Sequence, residues 1–584
     1  MIMLWWSVIL WIVIPPTVWV GASAPDDDAR PAYSVQANSL FVSTAGSDAG
    51  GDGTLGNPFR TITHALTIAE PGDEIVLRGA PALVDNRYAE DVRIREPNIT
   101  IRSQADEWAI ITCPVDDEAI AVCVDFDVDS SGSRLQRVEV IGGYYYGIKF
   151  ETRWDWGGPD RSGASNILIE DVKVHSTGNA AIKITPGCDD ITIRRTELYN
   201  TGLTVRPDSA EGIDNVNGDR MVVQDSYIHD TTSEGIYFKG GAIDCVVERT
   251  RIENTGGGGI FVGFDTSPEF FDLTVNPQYY ESIRGVVRNN VIRNTQYAGI
   301  GLYAAQDAQI WNNTLIDTAQ SAHSPLYFGL TFQDWADEAG RPPSVNPVIQ
   351  NNLIDQPASA AAICVSIRHS DELGGMDALA GPATLDHNLY AHGGGTCVFT
   401  DGRPTSLLEE GTLQQWQTHI AGESHSLTAT PQLESDGHLG AGSPAIDAGA
   451  CSGAPPDDID GDNRPSGATC DIGADEFMAG LSVTPASLSF NAEIGQATPA
   501  AQPLHIASGA LTWNATTDAD WLALSTASGS GDSTIQVSVN PAGLAAGSYT
   551  GTVTVSAGAQ QIIRTVTLTL TGPGFHLYAP YVGR

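Results

Sequence analysis

Basic residues are scarce in this 584-residue chain. Thirty Lys and Arg stand against 71 Asp and Glu, a formal charge of −41. A surface of that sign repels nucleic acid and anionic membranes, so neither is expected as a partner. An anionic polysaccharide would need a local basic patch or bridging divalent cations. Long apolar runs are missing after residue 24, and no later segment is a candidate for crossing a bilayer. The length excludes one compact core and leaves several domains or an elongated repeat. Cysteine is sparse, at eight residues.

The first 24 residues carry no charge and end Ala22-Ser23-Ala24 before Pro25-Asp26-Asp27-Asp28. This small-x-small pattern is expected of a secretory signal, with residues 25–38 as a polar linker. The basic n-region is missing, so an uncleaved anchor is the alternative, and only then would a membrane be a partner. In an exported chain the thiols oxidise. The pairs close in sequence, Cys113 with Cys123, Cys364 with Cys397 and Cys451 with Cys470, are the expected disulfides. Cys245 sits at an inward strand position and is expected as a buried apolar thiol.

A short phrase returns six times: Gly147-Ile148-Lys149, Ala181-Ile182-Lys183, Gly212-Ile213-Asp214, Gly235-Ile236-Tyr237, Gly259-Ile260-Phe261 and Gly299-Ile300-Gly301. Each copy is followed by a second apolar alternation, such as Ile191-Thr192-Ile193 or Met221-Val222-Val223. The steps Ile213 to Ile236 and Ile236 to Ile260 are 23 and 24 residues, a solenoid period of two or three short strands per coil. If each Ile points inward, its neighbour points out. Lys149, Lys183, Asp214, Tyr237 and Phe261 then form one outward column, spaced roughly 4.8 Å apart. The Asn pairs 289–290, 312–313 and 351–352 recur at one place in the coil and read as structural amide ladders.

Ahead of the repeats, Leu40 to Leu77 reads as strand, helix, turn, strand, the helix capping the open end of the solenoid. The run Val42-Ser43-Thr44, Gly46-Ser47-Asp48, Gly53-Thr54, Pro58-Phe59-Arg60-Thr61-Ile62, Ala65-Leu66 and Pro71-Gly72-Asp73 resembles the start of secreted right-handed parallel β-helix proteins. That superfamily includes the pectate-lyase-type polysaccharide lyases. The resemblance covers residues 39–400 and implies an all-β fold. The superfamily hosts lyases, hydrolases, epimerases and adhesins, so it implies activity far less. Residues 401–478, with Gly442-Ser443-Pro444 and Cys470-Asp471-Ile472-Gly473-Ala474-Asp475-Glu476-Phe477, resemble the choice-of-anchor segment that ends many such proteins. Within them, Asp458-Ile459-Asp460-Gly461-Asp462 spaces carboxylates like a calcium loop, although Asn463 and Thr469 depart from the EF-hand pattern. It reads equally as a calcium site or an acidic turn. Residues 480–571 alternate as an immunoglobulin-like β-sandwich and resemble a BACON domain, which suggests glycan association or spacer duty. Residues 572–584 form a tail with no assigned role.

Insertions locate the expected cleft. Glu151 to Ser165 carries Trp154 and Trp156, and Phe264 to Ser282 carries Tyr279 and Tyr280. These aromatic walls are expected to flank a floor of Lys183, Asp214, Tyr237 and Lys239, with Lys149 beside it, suited to sugar rings. The resemblance implies β-elimination from a uronate, needing a base and a cation on the enolate. Lys239 is the expected base, Lys183 its charge partner, and Glu211, Asp230 and Glu234 the expected calcium ligands. Hydrolysis would need two carboxylates, from Asp189, Asp190 and Asp214. The order Cys188-Asp189-Asp190 does not reproduce the Gly-Asp-Asp-Cys order of polygalacturonase-like hydrolases. The expected function is a secreted carbohydrate-active protein, a polysaccharide lyase-like β-helix acting on or binding extracellular polysaccharide, with a non-catalytic glycan-binding or cell-surface adhesion protein and a glycoside hydrolase as alternatives. Mass spectrometry of protein recovered from the medium should show a mature chain starting near Pro25. Membrane-retained protein still beginning at Met1 would identify an anchor.

Overall fold

The computed structural model describes residues 38–572 except 84, 155–157, 205–208, 332–339, 479, 496, 509–510, 532 and 559. The expected signal, nearly all of the linker and the tail from 573 lie outside that set. Three sheets of twelve strands form a parallel β-helix, parallel throughout except for the last strand of one. They begin at Ser39–Val42, Arg87–Tyr88 and Val92–Ile94. Each repeated Ile lies over the next: Ile148, Ile182, Ile213, Ile236, Ile260 and Ile300 pair in register and are fully buried. A parallel strand whose apolar positions alternate buries one face only, and stacking coils joins those faces into one core.

Corners between strands need left-handed backbone, and Asp171, Asp190, Asp225 and Asp244 supply it. Each carboxylate pairs at 2.7 Å with an Arg one coil on, namely Arg195, Arg220, Arg249 and Arg284. Asp190 is thus a corner residue, and Asp189 shares its Arg220. The Asn pairs divide their labour. Asn290, Asn313, Asn352 and Asn388 form the internal ladder, Asn313 Nδ2 donating to Asn352 Oδ1 at 2.9 Å and to Val287 O at 2.9 Å. Asn289, Asn312 and Asn351 instead donate to Asp457 O, Asp471 O and Ala450 O at 2.8, 3.0 and 2.8 Å. They dock residues 430–477, which fold back along the outside of the coils. Arg464 and Glu476, both fully buried, pair at 2.9 Å beneath that segment.

Both ends are covered. The helix Ile62–Leu66, capped by Thr61, buries Ile62 and Ala65 at the first coil. At the far end the helix Leu413–Ile420 buries Trp416 against Phe399, ring centroids 5.5 Å apart, a cap that the sequence did not announce. Cys113–Cys123, Cys364–Cys397 and Cys451–Cys470 are disulfides, and Cys188 and Cys245 are buried free thiols. The C-terminal sandwich packs a four-stranded sheet on a five-stranded one around its own core, which includes Trp513, Phe490 and Val555.

Asn313→Ala would remove the acceptor of the Asn290 backbone amide and of one Asn290 side-chain hydrogen, and a donor to Val287 O, in the core, at a cost of about 2–4 kcal/mol. In chemical denaturation the solenoid transition should move to lower denaturant while that of the sandwich stays put. A solenoid transition equal to the parent's would remove the ladder from the account of stability.

Candidate active site

The outward column exists as register. Asp125, Lys149, Lys183, Asp214, Tyr237, Phe261, Gly301 and Tyr327 lie side by side on successive strands. Lys239, beside Val216, belongs to the next outward column. Outward does not mean open, however. Tyr237 is 4% exposed and Phe261 1%. The Phe264 ring lies over them, 5.9 and 5.4 Å away by centroid, and meets Tyr303 edge-on at 5.4 Å. Glycine at 301 makes this possible: a Cβ there would lie 2.8 Å from the Tyr303 ring and 2.9 Å from that of Phe261. A floor expected in solvent is therefore a small aromatic core of its own, extending to Tyr327.

Each lysine of the floor already faces an acid. Lys149 Nζ is 2.7 Å from Glu151, Lys183 Nζ 2.5 Å from Asp214 Oδ2, and Lys239 Nζ 3.9 Å from Asp265. Lys239 also sits 4.2 Å over the Tyr237 ring and 5.4 Å from that of Phe264, a held cation under an aromatic roof. That setting is unlike the reachable base expected of it.

The carboxyls are the unusual groups. Glu211 and Glu234 occupy the turns before two adjacent strands, Gly212 N donating to Glu234 O at 3.1 Å, and they are 2% and 7% exposed. The Ser233 hydroxyl donates to Glu234 Oε2 and lies 3.5 Å from Glu211 Oε1. Glu211 Oε2 and Asp214 Oδ1 are buried with no hydrogen-bond partner among the described residues. Burial, reinforced by the charges of Asp214 and Glu234, pushes Glu211 up to about 8. Burial also raises Glu234, and burial with the neighbouring carboxylates raises the Tyr237 phenol well above its usual range. One floor carboxyl escaped the sequence reading: Asp125, 8% exposed, is pushed to about 7 by burial and then by Glu151. Counting the outward column one coil further back would have found it.

Three other expectations are corrected. Asp230 does not join Glu211 and Glu234: its side chain is 56% exposed and pairs with His229 Nδ1 at 2.8 Å, from a left-handed position near the end of the strand Tyr227–Thr231. Among the described residues, the groups whose ligand atoms converge as for a metal are Asp386/His387/His425 and His438/Asp460/Asp475. The insertions are not two walls. Trp154 is buried and donates from Nε1 to Glu269 O at 3.1 Å, Arg161 pairs with Asp272, and Asn217 donates to Phe270 O, so the two loops merge into one ridge. Tyr279 packs on Phe271 within that ridge at 5.2 Å, and half-buried Tyr280 is tied to Asn276 through its backbone. Trp156 lies outside the described residues. Further rings cluster elsewhere on the coils: Tyr145 meets Tyr144 and Tyr146, and His323 meets Tyr297 and Tyr327. His323 stacks on Tyr327 at 4.0 Å, and burial, then Arg368, lowers it to about 4.

Residues 126–278 and 160–333 match the family model of the right handed beta helix region, and residues 480–571 match that of the viral BACON domain. The fold of the coils is that of a right-handed parallel β-helix, and the C-terminal sandwich matches a BACON domain. No curated protein matches it. Among solved structures, the β-helix protein is similar to pectate lyase Pel9A (15% identity, 75% of this chain and 96% of that one, TM-score 0.44). It is similar also to the alginate lyase of Paenibacillus sp. str. FPU-7 (16%, 59% and 95%, TM-score 0.35). A third is the GH87 α-1,3-glucanase catalytic unit of Streptomyces thermodiastaticus strain HF3-3 (12%, 69% and 70%, TM-score 0.40). The likeness is one of fold.

A carboxyl that titrates near 4.5 unfolded and about 8 folded binds more protons in the folded state between those values. Stability contributed by Glu211 is therefore present below about pH 4.5 and lost as pH rises to 8. Glu211→Gln should remove that loss, leaving the variant more stable than the parent at pH 8, by on the order of a few kcal/mol, and nearly equal to it at pH 4.5. Parallel stability curves for the two proteins over this range would show that Glu211 is not buried as described.

Proposed function

We propose that the protein is an extracellular carbohydrate-active enzyme that cleaves a polysaccharide by acid–base hydrolysis at Glu211 and Asp214. The observation that carries this is the pair itself: two neighbouring carboxyls in unlike environments, one still protonated near neutral pH, the other ion-paired to Lys183 at 2.5 Å. Carboxyls set apart in this way are what an acid and its partner base or nucleophile require. A proton on Glu211 also turns its unpartnered carboxyl oxygen into a donor. Glu211 is then the general acid on the leaving oxygen, and Asp214 the group that activates water or attacks the sugar. Lys183 holds Asp214 in place, and burial, then the charge of Asp214, keeps Glu211 protonated.

Elimination from a uronate needs a cation for the substrate carboxylate, and Lys149, Lys183 and Lys239 each already face an acid. This favours hydrolysis over the expected lyase chemistry. Both reacting carboxyls are buried, so substrate reaches them only when the side chains over them move. Export is in keeping with three disulfides and the apolar first 24 residues.

A panel of neutral and acidic polysaccharides, read both for new reducing ends and for near-ultraviolet absorbance, tests the proposal. Reducing ends without absorbance are expected, with kcat falling above about pH 8 as Glu211 ionises. Glu211→Gln should lower kcat at least ~10²-fold with little change in KM. Growth of absorbance would identify elimination instead. Binding without product in the parent would leave a glycan-binding protein.

A further inference from the structure

The aspartate run Asp458-Ile459-Asp460-Gly461-Asp462 is divided by the fold. Asp458 serves the backbone alone, Oδ1 accepting from the amides of Asp460 and Asp462 at 2.9 and 2.8 Å and Oδ2 from that of Glu476 at 3.0 Å. Asp460 turns instead to an imidazole, its Oδ2 2.5 Å from His438 Nε2. Asp475 stands with them, and one ligand atom from each of the three lies within 4.8 Å of the others. Asp475 is 7% exposed; its Oδ2 accepts the Leu439 amide at 2.8 Å, and its Oδ1 has no donor among the described residues. The other ring nitrogen of His438 lies 2.9 Å from Asp436 Oδ1. Three carboxylates thus surround one imidazole, leaving net negative charge at a half-covered place.

We propose that His438 Nε2, Asp460 and Asp475 bind a divalent transition-metal ion of the zinc class. The donor set selects the class: calcium takes oxygen ligands, whereas one imidazole nitrogen with two carboxylates suits zinc, cobalt or manganese. Asp475 is thus held by one oxygen and keeps the other for a ligand at the surface of the site. Asp436, hydrogen-bonded to the ring nitrogen that faces away from the ion, fixes the tautomer and orientation of His438, as carboxylates behind metal-bound histidines do. An ion here joins the turn around His438 to the loops around Asp460 and Asp475. These three pieces form the segment laid over the coils, where Arg251 reaches Asp436 O at 2.6 Å. Asp460 also lines a groove of about 640 Å³ against Glu197, Tyr227 and Arg251, so the ion stands at its rim.

The full chain, treated with chelator and titrated with Zn²⁺ by calorimetry, tests the site. Co²⁺ absorption serves as a second readout of nitrogen–oxygen coordination. His438→Ala and the isosteric Asp475→Asn should each remove one equivalent of Zn²⁺. Asp436→Asn should keep that equivalent and weaken it 10–100-fold; the Asp436 side chain is 57% exposed, so this change leaves the packing alone. His425→Ala, in the separate Asp386/His387/His425 group, should not affect the equivalent. The proposal is overturned if the parent takes up no Zn²⁺, if Asp475→Asn titrates like the parent, or if Asp436→Asn binds with unchanged affinity.

Discussion

Everything in this molecule depends on the in-register parallel hydrogen-bond ladder. Strands one coil apart are held at about 4.8 Å, so a residue cannot choose its neighbours independently of the repeat. Ile must lie on Ile, amide on amide and Arg beside Asp, because each column is continuous. The same constraint collects chemistry. A carboxyl placed at one turn is brought against a carboxyl at the next, and like charges at that spacing cannot both ionise cheaply in a dry environment. Glu211, Asp214 and Glu234 are the result. A solenoid tolerates such strain because the surrounding coils over-determine the position of each turn, and strained groups tend to mark sites of chemistry.

Aromatic residues decide how that strain is expressed. Exposed to water, the column from Lys183 to Phe261 would be an ordinary polar face. Phe261 and Tyr303, admitted by glycines where a side chain would collide, and Phe264 against both turn it into a low-dielectric patch. The rise of Glu211 to about 8 and the fall of His323 to about 4 both have burial as their leading cause.

Most of the fold was legible, and the reason is periodicity. The repeated Gly-Ile phrase, the alternation and the Asn pairs are local signals of a structure whose contacts recur at a constant offset. The register of Lys149, Lys183, Asp214, Tyr237 and Phe261 followed from those signals alone, as did the three disulfides from proximity. What escaped was everything aperiodic. That Trp154 reaches Glu269 across 115 residues has no signature in either loop. Alternation says which way Tyr237 points, not what covers it, and the cover comes from an irregular segment. Asp230 looked like a partner of Glu234 because it is near in sequence, yet the corner between them turns the two side chains apart.

The segment that folds back along the coils alters how this solenoid opens. A stack of repeats with nearest-neighbour contacts alone loosens one unit at a time from either end. Here Ala474 N bonds Thr314 Oγ1 at 2.9 Å, a contact spanning 160 residues, and Asn289, Asn312 and Asn351 hold the same strap on three successive coils. The last coils cannot fray singly without also releasing the strap, which couples them into one cooperative unit. The strap in turn has nowhere to dock until those coils are stacked. Assembly of this region therefore acquires an order, solenoid first and strap second, and the long loop it closes makes that final step the slow one.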